Sequence, residues 1–126
     1  MNRRAASNHA LTFAAEKANE LGLPLLVYEA LTFSYPAAND RIHTFILEGV
    51  AEMQREIEAL GAGYFFYLRR NKSDPNDVLY ELAKEAALLV TDDYPVFIAA
   101  AHNERVPKRL NIPFYTVDAS CIVPMN

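Results

Sequence analysis

"PLLVYEAL", Pro24–Leu31, is a continuous apolar run of strand length. Runs of this kind suit strands covered on both faces, as in parallel sheets sandwiched between helices, whereas a strand with one wet face alternates. "YFFYL" (Tyr64–Leu68), the Ala87–Thr91 segment of "ALLVTDD" and Phe114–Val117 in "PFYTVD" read as three further strands.

The segments around these runs carry helical periodicity. Ahead of the first strand, Ala10, Phe13, Ala14, Ala18 and Leu21 recur at helical spacing within Asn8–Leu21, with Glu16, Lys17 and Glu20 turned outward and Gly22 as the stop. A second helix begins at Asn39 or Asp40, either of which caps free backbone N–H groups. Its core stripe runs through Ile42, Phe45, Ile46, Gly49, Val50, Met53, Ile57 and Leu60, and Gly61 and Gly63 end it. Asp74 fits an N-cap with Pro75 at the first helical position, followed by the stripe Val78, Leu79, Leu82, Ala83 and Ala86. Phe97–Asn103 reads as a fourth helix, and Pro107 disrupts or restarts it before Leu110.

The order is therefore helix, strand, four times over. Parallel neighbours need crossover helices, and right-handed crossovers place helices on both faces of the sheet. This predicts an α/β, doubly wound, mostly parallel Rossmann-like sheet. In the common 3-2-1-4-5 strand order the first strand is central, yet only seven residues precede the helix at Asn8 and none of them forms a strand. The expected sheet lacks its first strand, and its flanking strands are left with unpaired backbone groups open to self-association.

Composition bounds the rest. The 126 residues are enough for one domain with a real core, and 52% hydrophobic residues with four glycines and no low-complexity run exclude a disordered chain. The net charge of −4 and scattered basic doublets (Arg3/Arg4, Arg69/Arg70, Lys108/Arg109) give no basic face for nucleic acid. The single cysteine, Cys121, rules out an internal disulfide and leaves too few thiols for a structural zinc site. No apolar run approaches the roughly 20 residues that cross a bilayer. An apolar signal-peptide core is missing too, so a cytoplasmic domain with no membrane partner is expected.

No phosphate-cradling glycine loop follows any strand: neither G-x-G-x-x-G nor G-x-x-x-x-G-K-[ST] occurs. His9, His43 and His102 share no metal-ligand spacing with the acids, and no serine sits in a nucleophile elbow. No catalytic residue and no metal ligand is assigned. Two loops fall where α/β sheets bind ligands, beyond the carboxyl ends of strands. One is "EALTFSYPAAND", with Thr32, Phe33, Ser34 and Tyr35; the other is "TDDYP", Thr91–Pro95. Asp92 and Asp93 there are suited either to a ligand or cation or to capping the helix that follows.

"NRRAASNHAL" (Asn2–Leu11), "YPAANDRIHTFILEGV" (Tyr35–Val50), "VTDDYPVFI" (Val90–Ile98) and "VDASCIVP" (Val117–Pro124) occur in that order. Together they resemble the N-terminal α/β domain of DNA photolyases, closest to the class II-like bacterial deoxyribodipyrimidine photolyases, and the resemblance covers almost the whole chain. It implies one domain over residues 1–126, preceded in the family by a short apolar strand and followed by a helical domain. That helical domain holds FAD, the lesion pocket and most of the DNA-binding surface. The implied activity is light-driven repair of ultraviolet-induced pyrimidine dimers, with UV-damaged DNA and the helical domain as partners and no catalysis by this domain alone. The α/β domain supports the helical one and, in many members, holds an antenna chromophore (a folate, deazaflavin or flavin). Arg4, Asn8, Arg41, Phe45, Gly49, Asp92, Asp93, Tyr94 and Pro95 fall on family motif positions, with Arg4, Asn8, Asp92 and Asp93 the candidates for cofactor contact. "AAAHNERVPKRL" follows the family pattern poorly. The alternative is a stand-alone α/β module binding a small ligand or nucleotide.

Overall fold

The computed structural model describes residues 4–34, 39–93 and 97–119. The chain is mixed α/β: α1 (His9–Leu21), β1 (Leu26–Thr32), α2 (Asp40–Ala59), β2 (Gly63–Arg69), α3 (Val78–Ala83), β3 (Leu89–Asp92), α4 (Phe97–Arg105), a 3-10 turn (Val106–Arg109) and β4 (Phe114–Val117). Both strand pairings are parallel, as continuous apolar runs require. The described strands hydrogen-bond as two two-stranded parallel sheets, β1 with β2 and β3 with β4, in keeping with a parallel α/β sheet that lacks its first strand. The chain divides accordingly into two compact units, Pro24–Asp77 and the combination of Met1–Leu23 with Val78–Asn126.

Pro24–Asp77 is a single βαβ unit. Asn39, in extended conformation, caps α2 by accepting the Ile42 N–H at 2.9 Å, so Asp40 becomes the first helical residue, where its charge meets the positive helix end. Of the apolar stripe expected on α2, only Ile57 is fully buried, at 1% exposure, on a helix that packs against β2. Ile42, Phe45 and Leu60 lie outside the covered face, Phe45 at 73% exposure. The stripe was wider than the surface available to bury it.

Parallel register sets Tyr28 beside Phe65, Ala30 beside Tyr67 and Thr32 beside Arg69 on one face of the sheet, with Val27, Glu29 and Leu31 on the other. Tyr28 and Phe65 stack with centroids 5.9 Å apart, and Tyr64 donates its hydroxyl proton to Glu29 at 2.7 Å. Burial lifts the Tyr28 phenol above its ordinary 10.0, and the nearby Tyr67 acts in the same direction. The folded chain thus holds this proton longer than the unfolded one. The stability it contributes is intact below pH 10 and is lost as the pH rises through the folded value. Tyr28→Phe is expected to flatten the alkaline fall in unfolding free energy; equal slopes for wild type and variant in urea titrations across that range would contradict the assignment.

In the other unit, Asn8 caps α1 by accepting the Leu11 N–H at 3.1 Å, and Gly22 ends the helix at φ 65°. The Gly22 and Leu23 amides then close on the Asn19 and Ala18 carbonyls, which a residue in the left-handed region allows. α1 packs against both β3 and β4, where the Phe13 and Tyr115 rings meet tilted at 57° with centroids 5.3 Å apart. The Arg109 guanidinium lies 3.8 Å above the Tyr80 ring, and Ala83, Val106 and Ala119 are the buried apolar residues. Pro107 restarts the chain as the 3-10 turn, with α4 running two residues beyond Asn103. β3 is shifted toward its carboxyl end relative to the predicted Ala87–Thr91 and includes Asp92.

Candidate functional site

The carboxyl ends of β3 and β4 gather three of the four sequence candidates. Asp92, the last residue of β3, accepts the backbone N–H of Ala119 on Oδ1 at 3.3 Å and the Asn103 side-chain amide on its carbonyl at 3.1 Å. The Asp93 amide donates to the Val117 carbonyl at 2.8 Å, so the link between the strands continues past the end of β3. Arg4 reaches the same point: its guanidinium donates a long 3.5 Å hydrogen bond to the Ala119 carbonyl.

Asn8 stands one step back. Its side-chain amide donates to the Arg4 carbonyl at 2.9 Å while its oxygen caps α1. The backbone between them bends through Ser7, which holds a left-handed φ of 52°. Such a turn costs a non-glycine residue free energy, and the Asn8 side chain fixes it from both sides. The result is a short polar chain from Asn8 through Arg4 and Ala119 to Asp92. Its last member is held by main-chain and amide donors, a half-buried carboxylate at the rim of a parallel strand pair.

Asp92 has a structural part at this strand end. Asp92 takes the amide of Ala119 beyond β4, so the carboxylate ties the end of one strand to the segment that follows the next. Asn103 escaped the sequence reading. The one signal available was an amide residue, poor at forming helix interiors, inside "AAAHNER". Tyr94 and Pro95 lie outside the described residues.

In the Pro24–Asp77 unit the carboxyl ends of the strands are organised differently. Arg69, the last residue of β2, sits 5.4 Å from the centre of the Phe33 ring and donates to the Asp74 and Lys72 carbonyls at 3.1 and 3.3 Å. The Asp74 carboxylate accepts the Arg70 and Asn71 amides at 2.8 and 3.3 Å. The expected cap of α3 is therefore a turn closure, and α3 starts only at Val78. An aspartate before proline can serve either purpose, and the strand end claims it first. Thr32 Oγ1 is buried and meets no hydrogen-bond partner among the described residues. The remainder of the "EALTFSYPAAND" loop, residues 35–38, lies outside them.

No phosphate-cradling glycine loop follows either strand pair in the sequence, and at the β3–β4 end Asp92 is engaged by the Ala119 amide and the Asn103 side chain. Among the described residues, no helix is long and apolar enough to cross a membrane.

A family model described as DNA photolyase matches residues 2–126. A deoxyribodipyrimidine photo-lyase from Methanothermobacter thermautotrophicus is 34% identical over 118 residues, which is 94% of this chain and 26% of that protein. The chain thus spans about a quarter of the length of this relative. Among solved structures, the universal stress protein from Archaeoglobus fulgidus in complex with dAMP superposes with a TM-score of 0.57 at 21% identity, over 94% of this chain and 93% of that one. A second structure of a universal stress protein from the same organism gives 0.58 at 22% identity, over 94% and 89%. At such identities the likeness is one of fold alone.

Proposed function

Since the chain belongs to the DNA photolyase family, we propose that it forms the α/β portion of a light-driven DNA repair enzyme and acts there as scaffold and antenna support. The observation that carries this is the match over residues 2–126 together with 34% identity across 94% of the chain. The flavin of such an enzyme supplies the electron that splits a pyrimidine dimer flipped out of the duplex. No step of that chemistry is assigned to these residues. A helical domain carrying FAD and the UV-damaged DNA are the partners this reading requires.

The residues of this chain have a positioning part. Asp92 and Arg4, the latter held by Asn8, meet at Ala119 just beyond β4, at the carboxyl ends of strands where a ligand of an α/β fold lies. An antenna chromophore, whether folate, deazaflavin or flavin, would be held there by polar groups that the same network orients. Asp93 belongs to the same strand end.

The test uses the 126-residue chain itself. Purified, it is expected to show no bound-flavin absorbance and to leave cyclobutane dimers in DNA unrepaired under blue light. A thermal-shift titration with folates, deazaflavins and flavins, set against dAMP, then separates the readings. Stabilisation by a chromophore supports the antenna role, whereas stabilisation by the nucleotide alone supports a stand-alone ligand module on the stress-protein-like fold. Dimer repair by the unaided chain would defeat the scaffold assignment.

A further inference from the structure

Every residue of β1 except Glu29 is uncharged, and glutamate is among the residues that strands disfavour. The register places Glu29 on one face with Val27, Leu31, Tyr64, Phe66 and Leu68, so a carboxylate stands among apolar and aromatic side chains. Glu29 and Tyr64 are both half-buried. Withdrawing a carboxylate from water costs free energy that a valine or leucine here would not incur. What the position holds in return is a base. Glu29 Oε2 accepts the Tyr64 hydroxyl proton at 2.7 Å, the length of a charge-assisted hydrogen bond between a hydroxyl and a carboxylate.

The three phenols of this sheet have three settings. Tyr67 donates at 2.6 Å to the Pro75 carbonyl, which accepts a hydrogen bond but does not take up the proton. Tyr28 stacks on Phe65, and burial there holds its proton in place. Tyr64 faces a group that both accepts the bond and can take the proton. A phenol stripped of an electron is a strong acid, so the electron leaves most readily where a base stands within hydrogen-bond reach of the proton. The chain has seven tyrosines and no tryptophan, so its oxidisable aromatic groups are phenols.

We propose that Tyr64 and Glu29 form a redox-active pair, in which Tyr64 gives one electron to an outer-sphere oxidant while its hydroxyl proton crosses to Glu29 Oε2. The oxidant belongs to the class of light-excited flavins and photogenerated metal complexes, and that electron reduces it. On this chain the products are a neutral tyrosyl radical and a protonated Glu29, so the pair loses one electron and no proton. A soluble thiolate or ascorbate returns the electron, and the proton goes back from Glu29 to the phenolic oxygen. The apolar neighbours on this face favour transfer to the carboxylate over transfer to water. The pair thus collects an oxidising equivalent, a role separate from scaffolding and independent of any chromophore beyond β3 and β4.

Flash photolysis of the full 126-residue chain provides the test, with tris(bipyridine)ruthenium(III), generated by a light pulse, as the oxidant. The tyrosyl radical, followed by transient absorbance and electron paramagnetic resonance, is expected to form in a fast phase that slows in heavy water. Tyr64→Phe removes that phase and leaves the slower oxidation of the remaining tyrosines, whereas Tyr67→Phe leaves it unchanged. Glu29→Gln keeps an acceptor oxygen but takes no proton, and is expected to slow the phase about a hundredfold, the low end for a positioned base. In the wild-type chain, infrared difference spectra are expected to show a protonated carboxyl appearing together with the radical. A hydrogen bond of structural use alone gives no such signal. A fast phase that survives Tyr64→Phe, equal rates for Glu29→Gln and wild type, or a radical formed without carboxyl protonation overturns the proposal.

Discussion

Ile57→Ala is expected to lower the unfolding free energy by about 3 kcal/mol, more than any other single truncation on α2. At 1% exposure, Ile57 is the largest fully buried side chain among the described residues. It lies in the last two turns of a helix packed on β2, within a unit that has few other buried groups to share the loss. Two-stranded sheets are marginal without an apolar cover, so the cavity removes a large part of what holds the βαβ unit together. Phe45→Ala, on the same helix and the larger deletion, should change stability by no more than about 0.5 kcal/mol, because 73% of its surface is already in water. Urea titrations followed by circular dichroism and tyrosine fluorescence provide the comparison. A fall in midpoint for Ile57→Ala with unchanged slope, beside a nearly silent Phe45→Ala, is the expected pattern. Equal effects would mean that α2 does not use the face assigned to it.

Asp92→Ala is expected to cost about 1.5–2 kcal/mol, the low end of the range for a hydrogen bond to a charged acceptor, as suits a 3.3 Å contact. The carboxylate accepts the N–H of Ala119, a residue with 4% exposure, and joins two points 27 residues apart in sequence. Asp92→Asn keeps an acceptor oxygen and should lose less than half as much. The sign of the effect separates two roles. Groups kept for ligands tend to be neutral or costly to stability, so a pure ligand-contact residue would leave the chain as stable or more so when truncated. The structure requires the opposite, together with faster hydrogen exchange at the Ala119 amide. If Asp92→Ala stabilises the chain, the strand-end network is incidental and the carboxylate belongs to a bound partner.

What the sequence made legible was local. Asn8 and Asn39 cap helices because an amide side chain reaches an N–H three residues on, and Gly22 ends α1 because it accepts a left-handed backbone; all three can be seen without knowing the fold. Strand placement followed from apolar runs and held to within a few residues. The misreadings concern competition and distance. Asp74 had two local uses, and only the position of Arg70 and Asn71 after β2 decides between them. Ile42, Phe45 and Leu60 share the helical period of Ile57, but periodicity gives the direction of a face and not its width. The candidate site was half visible: Arg4, Asn8, Asp92 and Asp93 were singled out, while the groups that Asp92 holds, Asn103 and Ala119, are joined to it by pairing across the sequence that no short motif records.

The division of the chain has a consequence for its birth on the ribosome. One unit is continuous from Pro24 to Asp77, so every contact it makes is available once that stretch has left the exit tunnel. The other is split: α1 emerges first, yet β3 and β4, on which it packs, are synthesised only after the intervening unit. Closing that long loop carries an entropic cost that the nearby pairing of β1 and β2 avoids. During translation the apolar side of α1, including Phe13, must wait without its strands. That interval is the one in which a chaperone, or an error of folding, finds this chain most exposed.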